Sequence, residues 1–241
     1  MQINTAISSL NSTGKPIPLW VRAGFWTCTA IAVAVVIRRV FALAARPRSS
    51  AAPQLAALDA FFASHEALTL AHIIPALAFV LIAPFVVFQR NTAWAERLIY
   101  PLGAVVGITA YAMSGNAIGG WTERSAVLFF NTLFLYSLVR AYRYRGQAEQ
   151  QQARIWLLRA IAVLLGIATT RPVMGVFFAT SPLTHLTPQQ FFGIAFWIGF
   201  SINTVVFELW IRSPSRRREA MVFQRVTDSD GNDDRHLRRI S

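Results

Sequence analysis

The stretch at residues 156–180, WLLRAIAVLLGIATTRPVMGVFFAT, limits what this chain can fold into more than any other. About 20 apolar residues in helical conformation span the hydrocarbon core of a bilayer, and this run is longer. Apart from Arg159 near its start, its one charge is Arg171. A cation at the middle of a membrane helix costs roughly 3 kcal/mol or more against lipid. Arg171 must therefore face other helices or a wetted space, and the rest of the chain has to supply its surroundings.

Five further apolar runs meet that demand, at about 19–37, 67–88, 99–120, 125–142 and 190–211. Charged residues make up 14% of the chain, against roughly 25% in soluble domains. The expected fold is all-α: an integral membrane bundle of about six transmembrane helices, forming one domain over 19–212. Residues 1–18 read as a disordered polar arm and 213–241 as a disordered charged tail. The linker at 44–64 holds Pro47, Pro53 and the segment DAFFAS, which predicts a short helix on the membrane surface. Ala42-Leu43-Ala44 resembles a signal cleavage site, but the polar arm ahead of the first run and the Arg38-Arg39 pair behind it predict a retained span.

The net charge is +12. In a soluble protein that excess would suggest nucleic acid. Here the arginines flank apolar runs, so no nucleic-acid partner is expected and the lipid bilayer takes its place. With six spans, Lys15, Arg22, Arg90, Arg97, Arg140, Arg143, Arg145, Arg154 and the tail share one side. Arg38, Arg39, Arg46, Arg48 and Arg124 lie on the other. The positive-inside rule then predicts a multi-pass cell-membrane protein with both termini cytoplasmic.

A rise of 1.5 Å per residue ranks the intramembrane polar groups by depth. Counted from the outer ends of the spans, Arg171 and Tyr111 lie roughly 13 Å down, Asn131 roughly 9 Å, His72 roughly 8 Å and Asn203 roughly 20 Å. An arginine side chain reaches about 6 Å. The expected outer-half cluster is therefore Arg171 with His72, Tyr111, Asn131 and Asn203, lining a pocket for a small polar or anionic ligand. Simple interhelical hydrogen bonding, worth about 0.6 kcal/mol per contact, is the plainer alternative. Glu208 is too deep for that cluster and matches Arg159 instead, as a structural ion pair on the inner side. Pro75 and Pro172 each free a backbone carbonyl at the depth of the cluster, as irregular backbone does where it lines a cavity. Gly103-xxx-Gly107 and Gly115-xxx-Gly119 are spaced for close helix packing.

Other chemistry finds little footing. Cys28 is the single cysteine, which excludes an internal disulfide and CxxC chemistry. No Walker, Rossmann, HExxH or GxSxG pattern is present, so an enzymatic role is not expected. A bis-histidine haem needs two histidines at matching depth on facing helices. His65, His185 and His236 fall outside the spans, which leaves His72 alone. His65 and His72 are two turns apart, too far for one zinc ion. No metal or cofactor, haem b included, is expected. Two alternatives to ligand binding stay open: a redox protein, haem- or quinone-linked, using His72, and a structural subunit of a membrane complex or a homo-oligomer.

Several ordered segments carry a family resemblance. HIIPALAFVLIAPFVVFQR at 72–90, the Gly119-Gly120 turn, WLLRAIAVLLGIATTR at 156–171 and NTVVFEL at 203–209 resemble the bacterial membrane family called domain of unknown function 2306, over roughly 67–212. That family's pattern has a His-Ile opening the second span, a Gln-Phe-like end followed by Arg, a Trp-Met-x-Arg, a Thr-x-Arg and an Asn-x-x-x-x-Glu. These fall here on His72, 88–90, 156–159, 169–171, and Asn203 with Glu208. The chain departs from the pattern in two places. Where the family has His-Arg then Gly, it has Glu96-Arg97 and then Tyr100, and where the family has a His before Trp-x-x-Arg it has Ala153. Two family histidines are thus missing, which leaves no metal or haem role to carry over. The resemblance implies a multi-pass protein of the bacterial cell inner membrane and brings no known reaction.

Overall fold

The structure, a computed structural model, describes residues 18–44, 63–88, 93–147 and 149–212. The expected arm, surface helix and charged tail lie outside these residues, apart from Pro18, Ala63 and Ser64 at their edges. The described residues form six helices and no strand: α1 (Leu19–Ala44), α2 (Glu66–Phe88), α3 (Ala93–Ser114), α4 (Gly120–Gly146), α5 (Gln150–Thr184) and α6 (Pro188–Arg212). Five of them, all but α3, are long and apolar enough to cross a membrane. The architecture is a helical membrane bundle. In lipid each backbone N–H and C=O must be satisfied within its own segment, which helices do and open strands do not.

From α2 onward the short connections make successive helices antiparallel. Along α5 and α6, Arg159 meets Glu208, Thr169 meets Asn203, and Phe177 stacks on Phe191 at 5.4 Å between ring centroids. Along α4 and α6 the pairing runs parallel, with Ser125 on Trp197 and Phe130 stacked on Phe200. The core is shared among α2, α3, α4 and α5, around Phe79, Ile99, Phe134 and Ala160. Arg171 faces this interior, as its cost in lipid demands. α1 is the least buried helix and packs on α2 and α5.

Helix limits depart from expectation in one place that matters. The third helix is displaced towards the N-terminus and ends at Ser114 rather than near residue 120. Gly115, Asn116 and Gly119-Gly120 form the turn instead, and Gly120 takes φ of 61°, a left-handed conformation open to glycine. The Gly115-xxx-Gly119 spacing therefore belongs to this turn and not to a helix face. Gly103-xxx-Gly107 does lie on a helix, and it packs against Phe134, Leu135 and Leu138 of α4. α4 in turn starts earlier than expected, which brings Glu123 into its first turn.

Glycines let α6 approach both α4 and α5 closely. A Cβ on Gly193 would lie 2.6 Å from the Glu123 amide nitrogen, and one on Gly199 2.6 Å from the Thr170 amide nitrogen of α5. Such approach is the small-residue packing by which membrane helices gain dispersion contacts, having no hydrophobic drive towards one another.

Candidate ligand-binding cavity

A cavity of about 270 Å³ runs inside the bundle, walled by all six helices. Arg171, His72 and Asn131 line it, together with Glu123, Asn116 and Arg39. Its remaining walls are apolar, among them Val80, Val163, Phe130 and Phe134.

Arg171 projects from α5 into the bundle, half-buried on the cavity wall. Its Nη1 donates to the Met174 thioether at 3.8 Å, and its Nε is buried without a hydrogen-bond partner. A guanidinium carries five N–H donors and no acceptor, so a sulfur at that distance satisfies it poorly. Arg38, Arg39 and Glu123 lie within electrostatic range. Glu123 is committed elsewhere: its Oε2 accepts the Gly119 N–H at 2.6 Å. This reaches back over the helix start as a capping-box residue does, and it ties the α3–α4 turn to the cavity wall.

His72 and Asn131 both fasten α3. The Thr109 hydroxyl donates to the Val105 carbonyl at 2.7 Å, so its oxygen is left to accept from His72 Nδ1 at 2.9 Å. Asn131 Nδ2 donates to the Gly107 carbonyl at 2.9 Å. Neither side chain hydrogen-bonds Arg171, although all three line one space.

Two of the expected cluster lie elsewhere. Tyr111 sits one turn from the end of α3, on the exposed side, where its hydroxyl pairs with Thr132 at 2.8 Å. The early end of α3 removes it from the level assigned to it. Asn203 lies in the seam between α5 and α6. Thr169 donates to its Oδ1 at 2.7 Å, its Nδ2 reaches the Ala162 carbonyl at 3.4 Å, and Cys28 approaches Thr169 at 3.8 Å. That chain of polar contacts links α1, α5 and α6 and does not reach the cavity.

Sequence reasoning missed Glu123, Asn116 and Arg39. Glu123 fell in an expected loop, three residues after Gly120 in GWTE. A Glu so close behind a Gly-Gly turn and ahead of an apolar run is a helix-start signal, and reading it as one would have placed the carboxylate inside the bundle.

At the far end of the bundle, Arg159 pairs with both carboxylate oxygens of Glu208, its Nη2 at 3.2 Å. The Arg159 guanidinium also lies 4.4 Å from the centre of the Trp156 ring, with Arg140 at 5.0 Å from the same ring. Glu208 further meets Arg212 at 3.4 Å. Its side chain is 26% exposed, and that of Arg159 21%, so solvent or headgroups screen the pair. Glu208→Ala is expected to lower stability by about 1 kcal/mol, near the upper range for partly screened pairs, without unfolding the protein. A fall in the thermal midpoint of more than about 10 °C would show a larger structural role for the pair.

Among the described residues, no three His, Cys, Asp or Glu side chains converge to hold a metal ion. Comparison with known proteins finds no matching family model, no similar curated protein and no similar solved structure.

Proposed function

We propose that this chain is a multi-pass cell-membrane protein that binds, or moves, a small anionic ligand in the cavity at Arg171. The observation that carries this reading is the guanidinium itself. It lies inside the bundle, and among the described residues its buried Nε finds no hydrogen-bond partner and its Nη1 meets only a thioether. A charge left this poorly satisfied inside a bundle is costly to keep, and an anion with two oxygens fits its planar fork. His72 and Asn131 add polar atoms to the same cavity. Membership of the domain of unknown function 2306 family, and with it a bacterial inner membrane, is part of the proposal and rests on the ordered motifs.

The test is thermal unfolding of the purified full chain against carboxylates and phosphates, with and without alkyl chains. At least one is expected to stabilise saturably, by about 2.7 kcal/mol at a hundred times its dissociation constant. No response to any member, in a protein shown to be folded, overturns the reading. Mass spectrometry of molecules retained through purification provides an independent check.

The orientation in this proposal has its own test. In a Cys28→Ser background, cysteines at Ala148 and Ser229 are expected to be shielded from a membrane-impermeant thiol reagent in intact cells. A cysteine at Thr184 is expected to react. The reverse pattern would invert the topology.

A further inference from the structure

The cavity has two unlike ends. Arg171, Glu123 and Asn116 line it near the α3–α4 turn, His72 and Asn131 lie further along and are already bonded to α3, and Val163, Val80 and Phe134 make the remaining wall apolar. Along α5 the eight residues from Arg171 back to Val163 correspond to about 12 Å of shaft. A small hydrated ion would occupy the polar end and leave the shaft empty, and proteins seldom keep apolar space unfilled.

We propose that the ligand is an amphiphilic anion, a carboxylate or phosphate head on a long alkyl chain, with its head at Arg171 and its chain in the shaft towards Phe134. This rests on the anion-binding reading above. A chain passing from lipid into an apolar shaft gains and loses little, because lipid tails are as apolar as the side chains that replace them. Relative to lipid the head therefore sets affinity and the shaft sets which molecules fit, whereas relative to water the buried chain adds its own transfer free energy.

The wall that separates this shaft from lipid is α1. Its Ala32, Val35 and Val36 face the cavity, while Trp26, Ile37 and Phe41 are exposed on its surface. It packs on α2 and α5, which touch one another only sparsely. A chain can therefore reach the shaft sideways from the bilayer by displacing one helix.

The experiment uses the full chain in nanodiscs of neutral phosphatidylcholine. Acetate, octanoate and palmitate form one series, and inorganic phosphate, octyl phosphate and hexadecyl phosphate the other, with hexadecanol as the neutral control. The long-chain member of at least one series is expected to bind about tenfold or more tightly than its chain-free head, and hexadecanol not at all. Which series responds separates a carboxylate from a phosphate ligand. Membrane partition also favours long chains, so two further readouts are needed. Ala76→Phe, which fills the shaft away from Arg171, is expected to weaken only the long-chain members by about tenfold. A palmitate or hexadecyl phosphate with a mid-chain diazirine is expected to label Val80, Phe134 or Val163 in the unmodified protein, which needs no variant to fold. Equal binding of chain-free and chain-bearing anions, or labelling confined to exposed residues such as Ile108 and Val205, overturns the amphiphile and leaves the anion site standing. Failure of every anion, with or without a chain, overturns both.

Discussion

Arg171→Leu is expected to fold, to unfold at a temperature equal to or above that of the parent, and to lose all response to anions. The geometry gives the reason. Among the described residues Arg171 makes no ion pair within contact distance that the substitution would break, and Glu123 keeps its hydrogen bond from Gly119. What is removed is a desolvated charge with an unsatisfied Nε, held within range of two further arginines, Arg38 and Arg39. Replacing buried charges by apolar side chains of similar size is often neutral or stabilising by about 1–4 kcal/mol. The binding loss is expected to be large, because hydrogen bonds to a charged group contribute about 1.5–3 kcal/mol each. Two of them correspond to roughly a hundredfold or more in affinity. Arg171→Lys keeps the charge but not the planar fork, and about a tenfold loss is expected of it. Thermal midpoints and anion titrations on the three proteins decide the matter. An Arg171→Leu protein that no longer folds would show that the arginine holds the bundle together, and interhelical bonding would then account for it.

Gly193→Val is expected to be the most destabilising single change described, on the order of 3 kcal/mol, the upper end of typical overpacking costs. The new Cβ would sit 2.6 Å from the Glu123 amide nitrogen and 2.8 Å from the Thr122 carbonyl carbon. Backbone cannot rotate aside as a flexible side chain can, so the first turn of α4 must shift from α6. That shift carries Glu123 out of the cavity wall and strains the α3–α4 turn. The thermal midpoint and the anion response should therefore fall together, unlike the split expected at Arg171. Gly146→Ala, where an added Cβ meets nothing within 4 Å, is the matched control and should change the midpoint little. A Gly193→Val protein as stable as the parent would mean that α4 and α6 are not held this close.

Much of the architecture was legible because a bilayer leaves a chain few options. Long apolar runs must be helices, and the run lengths alone set their number. The pairing of Arg159 with Glu208 could be read from depth, because short turns make α5 and α6 antiparallel and fix their register. Tyr111 and Asn203 show where depth fails. The level of Tyr111 depended on where α3 ends, and Gly115 with Asn116 ended it early. Asn203 lay within reach of the right level but on the wrong side of its helix, turned to Thr169 in the α5–α6 seam.

The sequence by itself determined the bundle, its apolar spans and the buried arginine that any folding of it has to accommodate, since hydropathy and residue rise are properties of one segment at a time. Only the tertiary structure decided what surrounds that arginine. Which residues share a cavity depends on helix order, on rotation about each axis and on glycine contacts such as Gly193 against Thr122 and Glu123. Those are set by the joint packing of all six helices, and no segment records them alone.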